Sequence, residues 1–243
     1  MLKFLQNNLR PRIETLRARF IRLIEPRIHH YRFYTRAEKT VRFDGCNPNI
    51  PFNMPIDYYY MGIFLAAQIP TLKGEILELV TEKESPFLIS ALSMNFLTKN
   101  KYSSLSQIRQ ITQEELLALP DHACLNIIAN HTLNEIHDPA DVLAQMKRVL
   151  APQGVILATL SAFAPPISNE RSCLGFSPAA VTYLFEKEFS DRIVSVTGHG
   201  NVLAGRMLLS NQGTRTLPKH ALDFTDPYFP IISCVKVSPK KIV

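Results

Sequence analysis

The polar residues that could take part in chemistry lie at the ends of two apolar, strand-like runs. His131 follows Asn130 directly after the run Cys124–Ala129, and Glu78 lies near the end of the run Glu75–Val80. An imidazole has an ordinary pKa of about 6.5 and can remove a proton at neutral pH, so His131 is a candidate general base. A hydrogen-bonded structural histidine is the alternative interpretation of the same residue.

Two other histidines have simpler structural explanations. His137 and Asp138 stand directly before Pro139, a combination typical of a helix N-terminus. His199 lies between two glycines, which indicates a tight turn near the sheet edge rather than a catalytic position.

Several classes of function are disfavoured because the sequence lacks the residue sets that they require. No Ser-His-Asp set, carboxylate pair or metal-ligand cluster occurs with suitable spacing, so hydrolase and metalloenzyme functions are disfavoured and no metal site is predicted. The four cysteines are scattered without a CxxC pair, which favours reduced thiols in a cytosolic protein. No apolar run approaches the roughly 18–20 residues that a membrane-spanning helix needs.

Predicted strands and helices alternate along most of the chain. Apolar runs bounded by turn residues predict strands, and apolar residues spaced three and four apart predict helices between them. This alternation is typical of an α/β domain with a doubly wound, mostly parallel sheet. The first predicted helix is Ile56–Gln68, and the predicted strands are 75–80, 94–98, 107–112, 124–129, 154–163, 193–197 and 231–237.

A basic segment precedes this domain. Residues 1–43 contain eleven Lys and Arg residues against three acidic residues, whereas the whole chain has a net charge of +6. Their apolar residues recur with helical spacing from Leu2 to Ile24, and Pro26 is placed to end the helix. We therefore predict a basic amphipathic helical arm over residues 1–43 and an α/β domain over residues 44–243.

Three uses of residues 1–27 are open on this evidence. The helix can pack on its own domain or on a protein partner, with its arginines solvated. It can also lie on an anionic membrane surface. Nucleic-acid binding is the third use and is disfavoured, because no RNA-binding signature accompanies the basic residues.

Longer motifs in the second half resemble a known family. The segments Asn130–Pro139 and Arg148–Leu157 are similar to the late half of class I S-adenosylmethionine (SAM) methyltransferase domains, which reads roughly N-H-x-L-E-H-x-x-D-P followed by R-V-L-K-P-G-G-x-L. Pro55–Tyr60 resembles the opening P-I-D-R-Y-Y helix of a bacterial group within that family, and residues 200–204 and 222–230 resemble its closing segment. The resemblance covers about residues 42–238.

The resemblance implies a fold, a cofactor and a set of site residues. It implies a Rossmann-like, seven-stranded, mostly parallel sheet whose last strand is antiparallel, with SAM over the carboxyl ends of the strands. Glu78 corresponds to the family's first-strand acid, and His131 lies where acceptor chemistry occurs. The cofactor-binding positions that the resemblance implies are Tyr59, Tyr60, Glu78, Leu79, Val80, Thr81, Asn100 and Asn130.

The chain departs from the family at the turn after the first strand. The family carries glycines there, but this chain has none between Gly74 and Gly154, and the turn is formed by residues 80–85. Near the ribose-binding acid of the second strand it carries Lys99 and Asn100 instead. The cofactor-binding loop is therefore degenerate.

Two functions remain open from the sequence. One is a SAM-dependent methyltransferase that modifies a small-molecule or glycan-related acceptor. The other is a catalytically inactive pseudo-methyltransferase that serves as a binding or scaffold module. Either would be cytoplasmic, with the basic arm able to hold it at the inner face of the membrane.

Overall fold

The computed structural model describes residues 55–83, 108–163, 174–210, 217 and 219–240. The chain divides into two compact units, Met1–Asp44 and Gly45–Val243, and all the described residues belong to the second. The predicted arm and the strand predicted at 94–98 lie outside the described residues. None of the helices described is long and apolar enough to cross a bilayer.

Helices and strands alternate as the sequence predicts. The strands are β1 (Ile76–Leu79), β2 (Ile108–Ile111), β3 (Cys124–Asn130), β4 (Leu150–Ser161), β5 (Ile193–His199) and β6 (Ile232–Ser238). The helices are α1 (Ile56–Gln68), α2 (Gln113–Ala118), α3 (Thr132–Glu135), α4 (Pro139–Val149), α5 (Pro178–Glu188), α6 (Val202–Leu209) and α7 (Lys219–Asp223), with a 3-10 turn at Ile69–Thr71.

The six strands of the described residues form one sheet in the order β2-β1-β3-β4-β6-β5. β2, β1, β3 and β4 pair in parallel, and β6 runs antiparallel to both β4 and β5. The predicted Rossmann-like sheet with an antiparallel last strand is confirmed. β2 pairs directly with β1, so the strand beside the first one is Ile108–Ile111.

Side-chain caps fix the helix starts. Asp138 accepts from the backbone N–H groups of Ala140 and Asp141 at the start of α4, as its place before a proline predicts. Thr112 and Glu115 form a reciprocal capping box on α2. The cap of α2 directly follows β2, so this helix starts at the carboxyl end of its preceding strand.

Two boundaries differ from the prediction. The strand predicted at 154–163 begins earlier, because α4 ends at Val149 and Leu150 already pairs with Cys124 in the sheet. A residue before proline is disfavoured in helical conformation, which prevents Ala151 from continuing the helix. His199 is the last residue of β5, and the turn is made at Gly200, whose φ is +90°.

The two faces of the sheet are covered by different helices. One face packs against α2, α4 and α5 through a continuous apolar cluster that includes Leu143, Met146 and Phe185, all fully buried. α1 lies over the other face, where Tyr60 stacks on His199 and Lys236 donates to Gln68. This second face carries the polar residues of the candidate site.

Candidate functional site

The candidate site lies where the parallel strands β1 and β3 end. Leu79 is paired with Ala129, so Glu78 and Asn130 lie on the same face of the sheet, near the same edge. In doubly wound sheets this carboxyl edge is where ligands bind.

Glu78 is held by amide side chains from both neighbouring strands. Its side chain is buried, with 1% of the residue exposed. Asn130 Nδ2 donates to Oε1 at 3.2 Å, and Gln110 Nε2 donates to Oε2 at 3.3 Å. Thr159 Oγ1 donates to Asn130 Oδ1 at 3.4 Å, so the polar network joins β2, β1, β3 and β4. These hydrogen bonds offset part of the cost of burying a carboxylate.

His131 directly follows this network and faces the first turn of α1. Its Nδ1 lies 3.8 Å from Asp57 Oδ2, and its ring meets the edge of the Tyr58 ring at a centroid distance of 6.0 Å. Its Nε2 is buried and has no hydrogen-bond partner among the described residues. Within the described part of the chain, the imidazole therefore has one nitrogen beside a carboxylate and one buried nitrogen without a partner.

Burial controls the charge of this pair. Loss of solvation lowers the pKa of His131 below its usual 6.5, and the negative charges of Asp57 and Glu135 oppose that shift. Burial likewise raises the pKa of Asp57, opposed by His131 and by the Tyr58 backbone N–H. His131 is accordingly neutral at pH 7, the form that can accept a proton.

The polar groups of residues 79–81, where β1 ends, are hydrogen-bonded to other parts of the chain. The Val80 N–H donates to Ile111 O at 2.9 Å, and Leu79 O accepts from Thr132 Oγ1 at 2.7 Å. Thr81 Oγ1 donates to Glu135 Oε2 at 2.6 Å. The predicted cofactor-loop residues 79–81 therefore lie at the site edge, with these polar groups already hydrogen-bonded.

The two predicted tyrosines of α1 donate their hydroxyl hydrogen bonds to residues of α7. Tyr59 Oη donates to Asp223 Oδ1 at 2.9 Å, and Tyr60 Oη donates to Leu222 O at 2.7 Å. Their hydroxyls thus join α1 to α7. Asn100, the remaining predicted cofactor position, lies outside the described residues.

Three residues of the candidate site were not predicted from the sequence. Gln110 and Thr159 enter the network through strand register, and Asp57 enters through the packing of α1 on the sheet. Asp57 was visible only as part of the opening P-I-D motif. No cluster of three His, Cys, Asp or Glu side chains within the described ranges could hold a metal ion.

The described residues fit the methionine end of SAM, the cofactor that the resemblance implies. Glu78 is an acceptor-only group when ionised, which suits the donor groups of an ammonium. The amides of Asn130 and Gln110 fix its orientation. Because Glu78 is almost fully buried, a ligand reaches it only when the chain above it moves.

A family model described as "Methyltransferase domain" matches residues 87–158. The match spans β2, α2, β3, α3, α4 and most of β4, and so includes Asn130 and His131. It confirms the resemblance to methyltransferase domains over these residues. No curated protein matches the sequence.

Several solved structures that resemble the chain are described as methyltransferases. A SAM-dependent methyltransferase from Thermotoga maritima is 13% identical with a TM-score of 0.44, covering 76% of this chain and 92% of its own. One from Mesorhizobium loti is 10% identical with a TM-score of 0.45, covering 75% and 97%. Phosphoethanolamine N-methyltransferase 2 from Haemonchus contortus, in complex with SAM, has 10% identity and a TM-score of 0.45, covering 75% and 53%. At 10–13% identity, the similarity to these structures gives no information on the substrate.

Proposed function

We propose that this protein is a SAM-dependent methyltransferase that modifies a small-molecule or glycan-related acceptor. The observation that carries the proposal is Glu78, an acid at the family's first-strand position, fixed on both oxygens by amides of the adjacent strands. Burying a carboxylate is costly, and such groups concentrate at functional sites. An apolar residue at this position would stabilise the core more than a buried carboxylate does.

The residues of the site have separate roles in this proposal. When bound, SAM supplies a methyl group on a sulfonium, so positioning of donor and acceptor accounts for most of the rate. Glu78 accepts from the ammonium of the cofactor, and Asn130 orients Glu78. His131 removes the acceptor's proton. Residues 79–81, Tyr59, Tyr60 and Asn100 line the cofactor in the same proposal.

A second candidate is an inactive pseudo-methyltransferase that serves as a binding or scaffold module. The observation that favours it is the hydrogen bonding of residues 79–81, where β1 ends. Val80 N–H, Leu79 O and the Thr81 hydroxyl are hydrogen-bonded within the chain, and Glu78 is 1% exposed. A cofactor would have to replace those contacts, which weakens its binding.

Thermal unfolding with S-adenosylhomocysteine (SAH) separates the two candidates. A ligand at a thousandfold excess over its dissociation constant stabilises the folded state by about 4 kcal/mol. The methyltransferase proposal expects SAM and SAH, each at millimolar concentration, to raise Tm by several degrees, while adenosine, which lacks the methionine end, gives a smaller shift. No shift with either ligand contradicts the enzyme and supports the scaffold.

We also propose that the protein is cytoplasmic and associates peripherally with anionic membrane through residues 1–27. The basic amphipathic pattern of that segment supports this. In co-sedimentation with vesicles, the full chain should pellet with anionic lipid and not with neutral lipid. A full-length variant with Arg12, Arg19 and Arg22 changed to Gln should pellet less. Equal recovery with both lipids contradicts the proposal.

A further inference from the structure

We propose that Asp57 is a positioning residue that keeps the Nδ1 of His131 protonated, leaving Nε2 as the basic atom that meets the acceptor. The inference rests on the proposed function, because it assigns the base of that reaction. It adds Asp57, a residue of the opening helix, to a site otherwise formed by the ends of the strands.

The contact pattern of the imidazole selects one tautomer. Asp57 Oδ2 lies 3.8 Å from Nδ1, whereas Nε2 is buried and has no partner within the ranges that the structure describes. A neutral imidazole carries one proton, and an N–H beside a carboxylate is favoured over a lone pair in the same place. The proton therefore belongs on Nδ1, and Nε2 keeps its lone pair.

The backbone holds the imidazole at the edge of the site in a conformation uncommon for a residue with a Cβ. His131 has a φ of +56°, a left-handed conformation that is strained for most residues other than glycine. Its N–H donates to Thr159 O and its carbonyl accepts from Asn134 N, both at 2.9 Å. These two bonds fix the residue immediately after Asn130, one residue from the Glu78 network.

The charged groups around the imidazole come from two helices. Asp57 faces it from α1, and Glu135 acts on it from α3, while the Tyr58 ring meets it edge-on. Both carboxylates raise the pKa of His131, and the larger effect of burial lowers it. The balance gives a neutral imidazole whose basicity Asp57 increases.

The proposed reaction transfers one proton to His131 and one methyl group to the acceptor. Nε2 takes the proton of the acceptor's hydroxyl or amine while the acceptor's oxygen or nitrogen bonds to the methyl carbon of the sulfonium donor. The methyl–sulfur bond breaks, and its electron pair stays on sulfur. The imidazolium that forms lies next to the Asp57 carboxylate, which stabilises its positive charge.

Nitrogen-15 NMR of the histidine side chains tests the inference directly. The chain has seven histidines, and the signal of His131 is assigned by its loss in His131→Asn. At pH 7.5 the wild type should show His131 with Nδ1 protonated and Nε2 bare. Asp57→Asn should move the population toward the Nε2-protonated tautomer and lower the pKa of His131.

Asp223→Asn is the matched control. It removes a carboxylate that accepts a hydrogen bond from Tyr59, a residue of the same helix as Asp57. The substitution should leave the tautomer and titration of His131 unchanged. The other histidine signals report whether each variant is folded. A wild-type His131 protonated on Nε2, or an unchanged tautomer and pKa in a folded Asp57→Asn protein, overturns the inference.

SAH affinity, measured on the same samples, separates this inference from the proposed function. Asp57→Asn should bind SAH within about twofold of the wild type, because Asp57 acts on His131 and not on the cofactor. A wild type that binds no SAH overturns the proposed function. A loss of SAH affinity above tenfold in a folded Asp57→Asn protein overturns the positioning role and makes Asp57 part of the cofactor site.

Discussion

Asn130 Nδ2 donates to Glu78 Oε1 at 3.2 Å and so joins the carboxyl ends of two adjacent parallel strands. The bond orients a buried carboxylate at the edge where this fold binds ligands. Gln110 holds the other oxygen from the opposite side. The geometry of the proposed cofactor acid thus depends on two neutral amides.

Removing one amide should destabilise the protein. Asn130→Ala removes a donor from buried Glu78 and should lower the free energy of unfolding by about 1–3 kcal/mol, measured by urea denaturation. Arg109→Ala on β2 is the control, because its ion pair with Glu75 is about half exposed and should contribute at most about 1 kcal/mol. Equal losses in the two variants would contradict the network.

Arg148 should contribute more to stability than its place on a surface helix suggests. Its Nη1 donates to Leu119 O and Asp121, and its Nη2 donates to Leu116 O and Leu117 O, so it satisfies carbonyls at the end of α2. Arg148→Ala should lower the free energy of unfolding by about 1–3 kcal/mol in urea denaturation.

A lysine cannot reproduce the forked geometry, so Arg148→Lys should recover only part of that loss. Lys83→Ala is the control, because it breaks only the exposed ion pair with Glu115 and should change stability little. Full recovery in Arg148→Lys would show that charge alone accounts for the effect of Arg148.

Burial of neutral His131 should make the protein less stable in mild acid. Its folded pKa lies below the unfolded value of 6.5, so the unfolded chain binds more protons between the two values. Stability contributed by the neutral imidazole is therefore present above pH 6.5 and decreases as pH falls toward the folded pKa. Asp57 has a raised folded pKa and changes stability in the opposite sense, in the acidic window above 3.8.

His131→Asn should reduce the stability difference between pH 7.5 and pH 5.5, measured by urea denaturation at both values. Asparagine tolerates the left-handed backbone at this position, so the substitution changes the titrating group without adding backbone strain. His199→Asn is a comparison from the same face of the sheet, where burial also lowers the pKa. An unchanged pH dependence in His131→Asn would show that His131 does not titrate differently on folding.

The sequence predicted the elements well where local signals agree. The bounds of α1 match the prediction, and the Asp138 cap follows from an Asp-Pro pair before an amphipathic run. The start of β4 was mispredicted because Leu150 fits both an apolar helix face and a buried strand. Periodicity alone cannot distinguish these two for one residue.

The site was predictable only where it depends on strand ends. Glu78, Asn130 and His131 follow apolar runs, and parallel strands bring such residues together. Gln110 was not predictable because its contact requires the register of β2 on β1. Asp57 was not predictable because nothing local indicates that the first turn of α1 packs against the residue after β3.

Isothermal titration calorimetry with SAH tests whether Glu78 holds the cofactor. We expect measurable binding by the wild type and at least tenfold weaker binding by Glu78→Gln, since an amide is a poorer acceptor for an ammonium. Glu75→Gln, at an exposed position directly before the same strand, should bind as the wild type does. No heat of binding with the folded wild type, or equal affinity in Glu78→Gln, would contradict the role of Glu78 as the cofactor acid.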